Sequence, residues 1–525
     1  MSAATSLHSK HSRRPPDGPL IIYNDDTCSL RYADPQHSEQ SLEIPLRYLA
    51  GSQVGALCWC LGNDIAYSWP SKIRENYYDQ LADKPAPRNV MVTLHRQGVD
   101  YLPLLIGRAH QLGLRFYGSF RMNDCHQRSD PHGVLSSTLW RERQAWRLWE
   151  VTDARTYYNT PLDYSYPEVR QRMLDSIHET LQWYDMDGVE LDFCRDPYTF
   201  RPSQAWKKRG ILTDFIRQVR QDLDEAGNKR GRRLDLLLRV PFDRRKLRKA
   251  GMDVQTWLQE QLVDILVMSC ILNDYNQTLE PWLSRCREHG VGFYPSIEWE
   301  PVHNAIHNHN TAQSVDEIVR RQRAAAQNFL GQDAAGVYLF NYPCLLFEHQ
   351  RTPNQFGRMT GILHELGRQQ TLSASPKQYT FWKDLPLQLE SQRPARWHQT
   401  LQLNLFDPDL ADGDTSVRLS FHQATEANPH AREHRAPAPV LPSGWVTYWL
   451  NGSQVPEEWI RREPQPAGPI ASGFKLGEHE KITITPPASA MKQGENTLGF
   501  YVPRFPEEHD PYIQIYELNV DVNVS

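Results

Sequence analysis

Short runs of β-branched and aromatic residues alternate with longer amphipathic segments between residues 20 and 342. Apolar runs of four to nine residues are typical of buried strands, and apolar residues spaced three to four apart are typical of helices. Repeated strand–helix units form a parallel sheet. The predicted strands are LIIYND (20–25), VGALCWCLG (54–62), LRFYGSF (114–120), GVELDF (188–193), LDLLLRV (234–240), VDILVMS (263–269), VGFYPSIE (291–298) and GVYLFN (336–341).

Eight predicted strands are the number that a closed (β/α)8 TIM barrel needs, and no glycine-rich phosphate loop follows the first strand. Both observations favour the barrel over an open doubly wound sheet. NVMVTLH (89–95) is a rival or additional strand. The predicted helices span residues 101–113, 167–184, 212–227, 253–262, 279–290 and 315–331.

The pattern changes after about residue 375, where alternating strands follow one another among Pro, Gly and Asp turns. This pattern predicts a smaller all-β sandwich domain. Trp445 and Trp449 share one strand face, where they either bind glycan or fill the sandwich core. We expect a disordered tail at 1–18, the catalytic barrel at 19–372 and the β-sandwich at 376–525. The clearest sandwich strands are 416–424, 446–452, 481–486, 496–502 and 513–524.

Charge and composition narrow the range of partners. The 58 basic and 63 acidic residues give a net charge of -5, without the basic excess that binding to phosphate backbones requires. The first residues contain no apolar core of a secretory signal, and no apolar run reaches the length of a membrane span. We therefore expect a cytoplasmic protein that binds neither nucleic acid nor membranes.

The fourth predicted strand carries two acidic residues. In DGVELDFCRDP (187–197), Glu190 and Asp192 alternate with Val189, Leu191 and Phe193. Side chains alternate across a strand, so both carboxylates lie on one side and the apolar side chains on the other. When the apolar side packs against helices, both acids face the barrel interior, with Asp192 nearer the carboxyl-terminal rim.

The seventh strand repeats this arrangement with Glu298 and Glu300. Glycoside hydrolysis needs one carboxyl to protonate the leaving oxygen and a second to act as nucleophile or to activate water. Asp192 and Glu298 form the predicted catalytic pair, with Glu190 and Glu300 in reserve, and the pattern does not assign acid and nucleophile. The alternative is that inward acids only form ion pairs with inward bases such as Arg121 or Arg239.

Polar residues near the other strand ends, together with Trp299 and His303, add hydrogen-bonding groups to the carboxyl-terminal rim of the barrel. Such a rim suits a carbohydrate substrate. Arg121 and Arg239 either bind an acidic substituent of the substrate or neutralise the acids beside them. The predicted substrate-binding residues are Asn24, Asp26, Arg121, Asn123, Arg239, Trp299, His303 and Asn341.

A histidine-rich loop follows the seventh strand and contains His303, His307 and His309. Such a loop can bind a metal, although asparagine-rich loop histidines more often contact solvent or substrate. The chain has no HExxH, CxxC, GxSxG or Walker motif. We predict neither a metal nor another cofactor.

Several segments in order along the chain resemble the family-10-like glycoside hydrolases of bacteria. They are DGVELDF with RDP following (187–193, 195–197), RVPFD (239–243), VDILVMS (263–269), VGFYPSIE (291–298) and GVYLFNYP (336–343). The likeness covers residues 18 to 370. It implies a barrel enzyme that hydrolyses O-glycosidic bonds, with a β-sandwich appended.

The fourth strand also resembles the chitinase pattern DxxDxDxE, at Asp187, Glu190, Asp192 and Cys194. Cys194 stands where that pattern has its general acid, which argues against a chitinase-like mechanism. Family-10 xylanases have Asn-Glu at this strand end, and this chain does not. Two other functions stay open: a catalytically inactive carbohydrate-binding barrel, and a metal-dependent barrel lyase or isomerase that uses the histidine loop.

Overall fold

This computed structural model describes most of the chain. The described residues are 18–27, 29–30, 40–62, 68–73, 76, 90–123, 146, 161–194, 196–269, 275–298, 315–343, 353–381, 385–389, 399–411, 415–426, 444–471, 474–503 and 512–524. The predicted disordered tail at 1–18 lies outside them, apart from Gly18.

Eight strands form a closed barrel in chain order, and the strands from β1 to β7 pair in parallel with their neighbours. Each predicted strand is present, with ends that differ by at most two residues, so the TIM-barrel prediction is confirmed. The strands are β1 (Ile21–Asp25), β2 (Val54–Gly62), β3 (Arg115–Arg121), β4 (Gly188–Asp192), β5 (Asp235–Pro241), β6 (Ile265–Ser269), β7 (Gly292–Glu298) and β8 (Val337–Phe340).

Helices connect the strands and cover the barrel. No helix in the described ranges is long and apolar enough to cross a bilayer. The helices are α1 (Val90–Arg96), α2 (Tyr101–Gln111), α3 (Pro167–Trp183), α4 (Pro202–Arg230), α5 (Arg244–Ala250), α6 (Val254–Gln259), α7 (Trp282–Glu288), α8 (Val315–Leu330), α9 (Pro353–Gly361) and α10 (Gln369–Leu372).

Helices α1 and α4 differ from the sequence prediction, and α5, α9 and α10 were not predicted. The rival strand at 89–95 is wrong, because residues 90–95 lie in α1 and β2 pairs directly with β3. Helix α4 begins ten residues earlier than predicted, with Pro202 in its first turn, where a missing N–H costs nothing. It ends at Gly231, whose φ of 68° is the left-handed conformation that glycine adopts easily.

The chain divides into two compact units. The first comprises residues 1–269 and 280–296, and the second comprises residues 270–279 and 297–525. The first unit holds β1 to β6 and most of β7. The second holds α8, β8 and all the antiparallel strands.

The antiparallel strands form a β-sandwich, as predicted. One sheet has the order β10-β20-β12-β18-β15, with β9 also paired to β20, and the other has the order β11-β19-β13-β14. Buried side chains from both sheets, among them Leu403, Phe421 and Phe500, share one apolar core. The strands are β9 (Lys377–Phe381), β10 (Leu387–Leu389), β11 (Gln399–Leu405), β12 (Thr415–Glu426), β13 (Thr447–Leu450), β14 (Ser453–Gln454), β15 (Ile460–Gln465), β16 (Gly468–Pro469), β17 (Lys475–Leu476), β18 (His479–Ile484), β19 (Gly494–Tyr501) and β20 (Tyr512–Val524).

The two tryptophans of the sandwich have different surroundings. Trp445 packs against the sandwich core. Trp449 alternates along β13 with the buried residues Tyr448 and Leu450, so its side chain leaves the strand on the other side. Core packing therefore accounts for Trp445.

Helix α8 is joined to the sandwich by buried asparagines. The Asn328 amide donates to Asn276 Oδ1 (2.8 Å) and to the Asn404 carbonyl (2.9 Å), and its oxygen accepts from the Phe406 N–H (2.7 Å). The Asn276 amide donates to the Thr380 carbonyl of β9 (2.7 Å). These bonds satisfy polar groups that burial would otherwise penalise.

Candidate active site

The carboxylates of β4 face the barrel interior. Strand β3 lies between β2 and β4, yet both Glu190 and Asp192 influence Cys58 of β2 across it. Burial raises the pKa of the Cys58 thiol well above its usual value, and the two carboxylates raise it further. Side chains of non-adjacent barrel strands approach each other through the interior, so the alternation expected for β4 places both acids inward.

Asp192 forms a buried ion pair with Arg239 of the neighbouring strand β5. Arg239 Nη1 lies 2.9 Å from Asp192 Oδ1 and 3.1 Å from Oδ2, and the side chains are 0% and 1% exposed. The Cys194 N–H also donates to Asp192 Oδ1 (2.8 Å), and Arg239 Nη2 donates to the Ser269 hydroxyl (3.1 Å). A fixed positive group therefore holds the Asp192 carboxylate in place.

A second ion pair joins the ends of β1 and β3. Arg121 Nη2 donates to the Asp26 carboxylate, and each side chain is 9% exposed. Asn24 lies opposite Cys58 in the β1–β2 register and is buried. Both arginines predicted for substrate contact are thus held by carboxylates of the same rim.

Asn123 supports the loops that follow β3 and β4. Its amide donates to the carbonyls of Leu162 (3.3 Å) and Tyr198 (2.9 Å), and its oxygen accepts from the Leu162 N–H (2.9 Å). The side chain is fully buried. These bonds tie three chain segments together beside Arg121.

Two predicted site residues belong to the second unit. Glu298 ends β7, is buried, and exchanges hydrogen bonds through its backbone with the Tyr275 hydroxyl, at 2.7 Å from its carbonyl and 2.9 Å from its N–H. Asn341 follows β8 with a φ of 49°. Asparagine tolerates this left-handed conformation better than most residues do.

Several predicted residues lie outside the described residues: Glu300, Trp299, His303, His307 and His309. Within the described ranges, no group of three or more His, Cys, Asp and Glu side chains is placed to hold a metal ion. The metal-dependent alternative depends on the histidine loop and therefore stays a hypothesis.

Sequence reasoning missed the roles of Ser269 and Asp243. Ser269 ends the strand VDILVMS and meets Arg239 only because β6 lies beside β5. Asp243 follows β5, and its carboxylate caps α5 by accepting from the N–H groups of Arg245 (2.7 Å) and Lys246 (2.9 Å). An acid followed by a basic seven-residue segment was the available signal for this cap.

Comparisons with known proteins leave the family unassigned. No family model matches the chain, and no curated protein matches it. Among solved structures, it is similar to a glycoside hydrolase family 18 N-acetylglucosaminidase from Paenibacillus barengoltzii, with 11% identity, a TM-score of 0.36, and coverage of 66% of this chain and 99% of that one. The family-10-like resemblance therefore stays a prediction.

Two further solved structures have similar scores. An alpha-L-fucosidase from Paenibacillus thiaminolyticus has 11% identity and a TM-score of 0.39, covering 68% of this chain and 50% of that one. A noncanonic maltogenic alpha-amylase from Thermotoga neapolitana has 12% identity and a TM-score of 0.37, covering 95% and 98%. Likeness at this level assigns neither activity nor substrate to the chain.

Proposed function

We propose that the protein is a glycoside hydrolase whose catalytic carboxylates are Asp192 and Glu298. The supporting observation is the Asp192 carboxylate, held by Arg239 at the carboxyl end of β4. Catalytic groups of TIM-barrel enzymes stand at this end of the strands. A buried carboxylate that accepts from a guanidinium and a backbone N–H suits a role in which the negative charge is retained.

These contacts favour a division of roles. Asp192 is the ionised group that attacks the anomeric carbon, stabilises its positive charge or activates water, and Glu298 donates the proton to the leaving oxygen. Arg239 and Ser269 position Asp192. Arg121, held by Asp26, and Asn24 offer hydrogen-bonding groups to sugar hydroxyls on the same rim.

The test is release of reducing sugar from a broad glycan panel by the wild type, Asp192→Asn and Glu298→Gln. Both variants should lose about 10²- to 10⁴-fold in kcat, as expected when an acid–base or nucleophilic group is removed. Asp243→Asn is the matched control, since asparagine also caps helices and this residue serves α5. Its activity should stay within about twofold.

Aryl glycosides separate the two roles. A nitrophenolate leaves without needing a proton, so Glu298→Gln should recover much of its rate on such substrates while Asp192→Asn should not. Wild-type activity in both variants with unchanged thermal stability would refute the assignment.

An inactive carbohydrate-binding barrel is the second candidate, because the ion pair leaves Asp192 only 1% exposed. It predicts saturable glycan binding by the wild type without sugar release anywhere in the panel. That result would replace the hydrolase proposal.

A further inference from the structure

A polar cavity lies within the second unit, on the outer side of the six-stranded sheet beside α8. Its volume is about 500 Å³, within the range of small-molecule sites. Along β12, Val417, Leu419 and Phe421 are buried in the sandwich core, while Arg418 and Ser420 alternate with them. The cavity therefore uses the sheet face that the core leaves uncovered.

Arg321 of α8 is the most distinctive side chain in the lining. It is 5% exposed, and its Nε donates to Gln378 Oε1 of β9 (2.9 Å). Its Nη1 is buried and meets no acceptor in the described part of the chain. Burial lowers the pKa of this guanidinium, although nearby Glu317 and Glu517 oppose the shift. A buried charged donor without an acceptor is energetically costly. We therefore infer that a bound ligand provides the acceptor for Arg321 Nη1.

The most buried carboxylate of the cavity is already engaged. Asp521, 2% exposed, accepts from Arg418 Nη2 (2.9 Å) and Gln378 Nε2 (2.8 Å), and Arg320 Nη1 lies 3.6 Å away. It therefore does not supply the acceptor that Arg321 Nη1 lacks.

The charge balance limits what the cavity accepts. The described lining includes five cationic side chains and four carboxylates, so its formal charge is about +1. The pKa of His422 is lowered to about 4, mainly by burial, which leaves the ring neutral at pH 7. Such a lining suits a ligand with a single negative charge better than a polyanion. The charged residues are Arg320, Arg321, Arg418, Arg461, Lys481, Glu317, Glu463, Glu517 and Asp521.

The cavity also contains an acceptor that lacks a donor. Asn519 Oδ1 is buried and receives no hydrogen bond from the residues that the structure describes. Ser420, Thr483 and Thr485 add hydroxyl groups to the lining. An incomplete donor and an incomplete acceptor in one cavity match a ligand that carries both a carboxylate and hydroxyl groups.

We propose that this cavity binds a uronic acid unit of a glycan, with its carboxylate on Arg321 and its hydroxyls on Asn519 and the neighbouring hydroxyl side chains. A planar carboxylate matches the guanidinium geometry, and Lys481 adds a second positive charge. The choice of a sugar among hydroxy acids rests on the proposed hydrolase function.

Calorimetric titration of the full chain tests this proposal. The probes are disaccharides that carry a single glucuronic or galacturonic acid unit, their neutral glucose and galactose counterparts, and sodium sulfate. The acidic disaccharides should bind at least tenfold more tightly than the neutral ones. Arg321→Met should weaken that binding at least tenfold and Lys481→Met several-fold. Arg323→Met on the same helix is the control, since Arg323 forms an ion pair with Glu365 and does not line the cavity.

Equal affinity for acidic and neutral sugars would overturn the proposal, as would sulfate binding alone or Arg321→Met binding like Arg323→Met. If the Arg321→Met variant loses the native circular dichroism spectrum, the binding affinity of Lys481→Met is the test instead, because Lys481 is only half-buried. Binding of acidic sugars at the cavity by a protein that releases sugar from no glycan of the panel refutes only the hydrolase function. Turnover without such binding refutes only the cavity.

Discussion

At the scale of single residues, the Asp192–Arg239 pair combines the proposed catalytic role with a structural one. Both side chains are almost completely buried. Removing one member of a buried ion pair leaves an uncompensated charge, whereas replacing both by apolar groups of similar size is often nearly neutral. Activity alone therefore does not separate chemistry from stability at this site.

Arg239→Met should lower the free energy of unfolding by about 3–5 kcal/mol, because Asp192 then carries an unpaired buried charge. The double variant Asp192→Leu/Arg239→Met should be more stable than Arg239→Met alone. Urea unfolding measures both. Arg217→Met, which breaks the exposed pair with Glu260, should cost less than about 1 kcal/mol. An Arg239→Met protein as stable as Arg217→Met would show that the pair is not buried in solution.

At the scale of elements, Asp235 links two strands that do not pair with each other. It begins β5, and its carboxylate accepts from Tyr117 Oη (2.8 Å) and Arg115 Nη1 (3.4 Å) of β3. Strand β4 lies between them, where an ideal Cβ at Gly188 would come within 2.2 Å of the Asp235 carbonyl. Only glycine fits there without a backbone shift.

This link should make stability depend on pH. Burial and the nearby Asp264 carboxylate together raise the pKa of Asp235 to about 6 from its ordinary 3.8, although the contacts with Tyr117 and Arg115 oppose the shift. An acid whose pKa is raised by folding stabilises the fold fully below about pH 4, and this contribution is lost as the pH rises through 6. From pH 4 to pH 7, the wild type should lose about 2–3 kcal/mol relative to Asp235→Asn.

Urea-unfolding midpoints at several pH values measure this difference. Asp214→Asn, at an exposed carboxylate, is the control and should follow the wild type throughout. If the Asp235→Asn and wild-type curves are parallel, Asp235 does not titrate in this range.

At the scale of the whole molecule, the final helix and strand of the barrel belong to the same compact unit as the sandwich. Helix α8 provides Asn328 to the junction with β11 and residue 276, and Arg321 to the cavity. The sandwich is therefore part of the packing of this helix as well as a candidate binding module.

Asn328→Ala should destabilise the second unit by about 2–4 kcal/mol, because it removes the acceptor of the Phe406 N–H and the donor to Asn276 Oδ1 and the Asn404 carbonyl. Thermal unfolding followed by calorimetry should show the loss. Asp316→Ala on the same helix removes an exposed ion pair with Arg358 and should have little effect. Equal unfolding temperatures for the two variants would contradict a structural role for the junction.

Strand positions were predictable because strand formation follows local patterns. The apolar runs gave all eight barrel strands, and the alternation in GVELD placed Glu190 and Asp192 on one side of β4. The sequence failed at α1 and α5. The apolar run of α1 is compatible with either element, and α5 buries only Leu247 and Ala250, so it has no apolar stripe.

The sequence by itself determined the barrel, the sandwich and the inward direction of the β4 acids, since each depends on residues close together in the chain. Tertiary structure decided that Asp192 meets Arg239, that α8 joins the sandwich, and that Arg321 and Asn519 line one cavity. These relations join residues far apart in sequence. Local periodicity fixes which side of an element a residue occupies, but only packing fixes what lies opposite it.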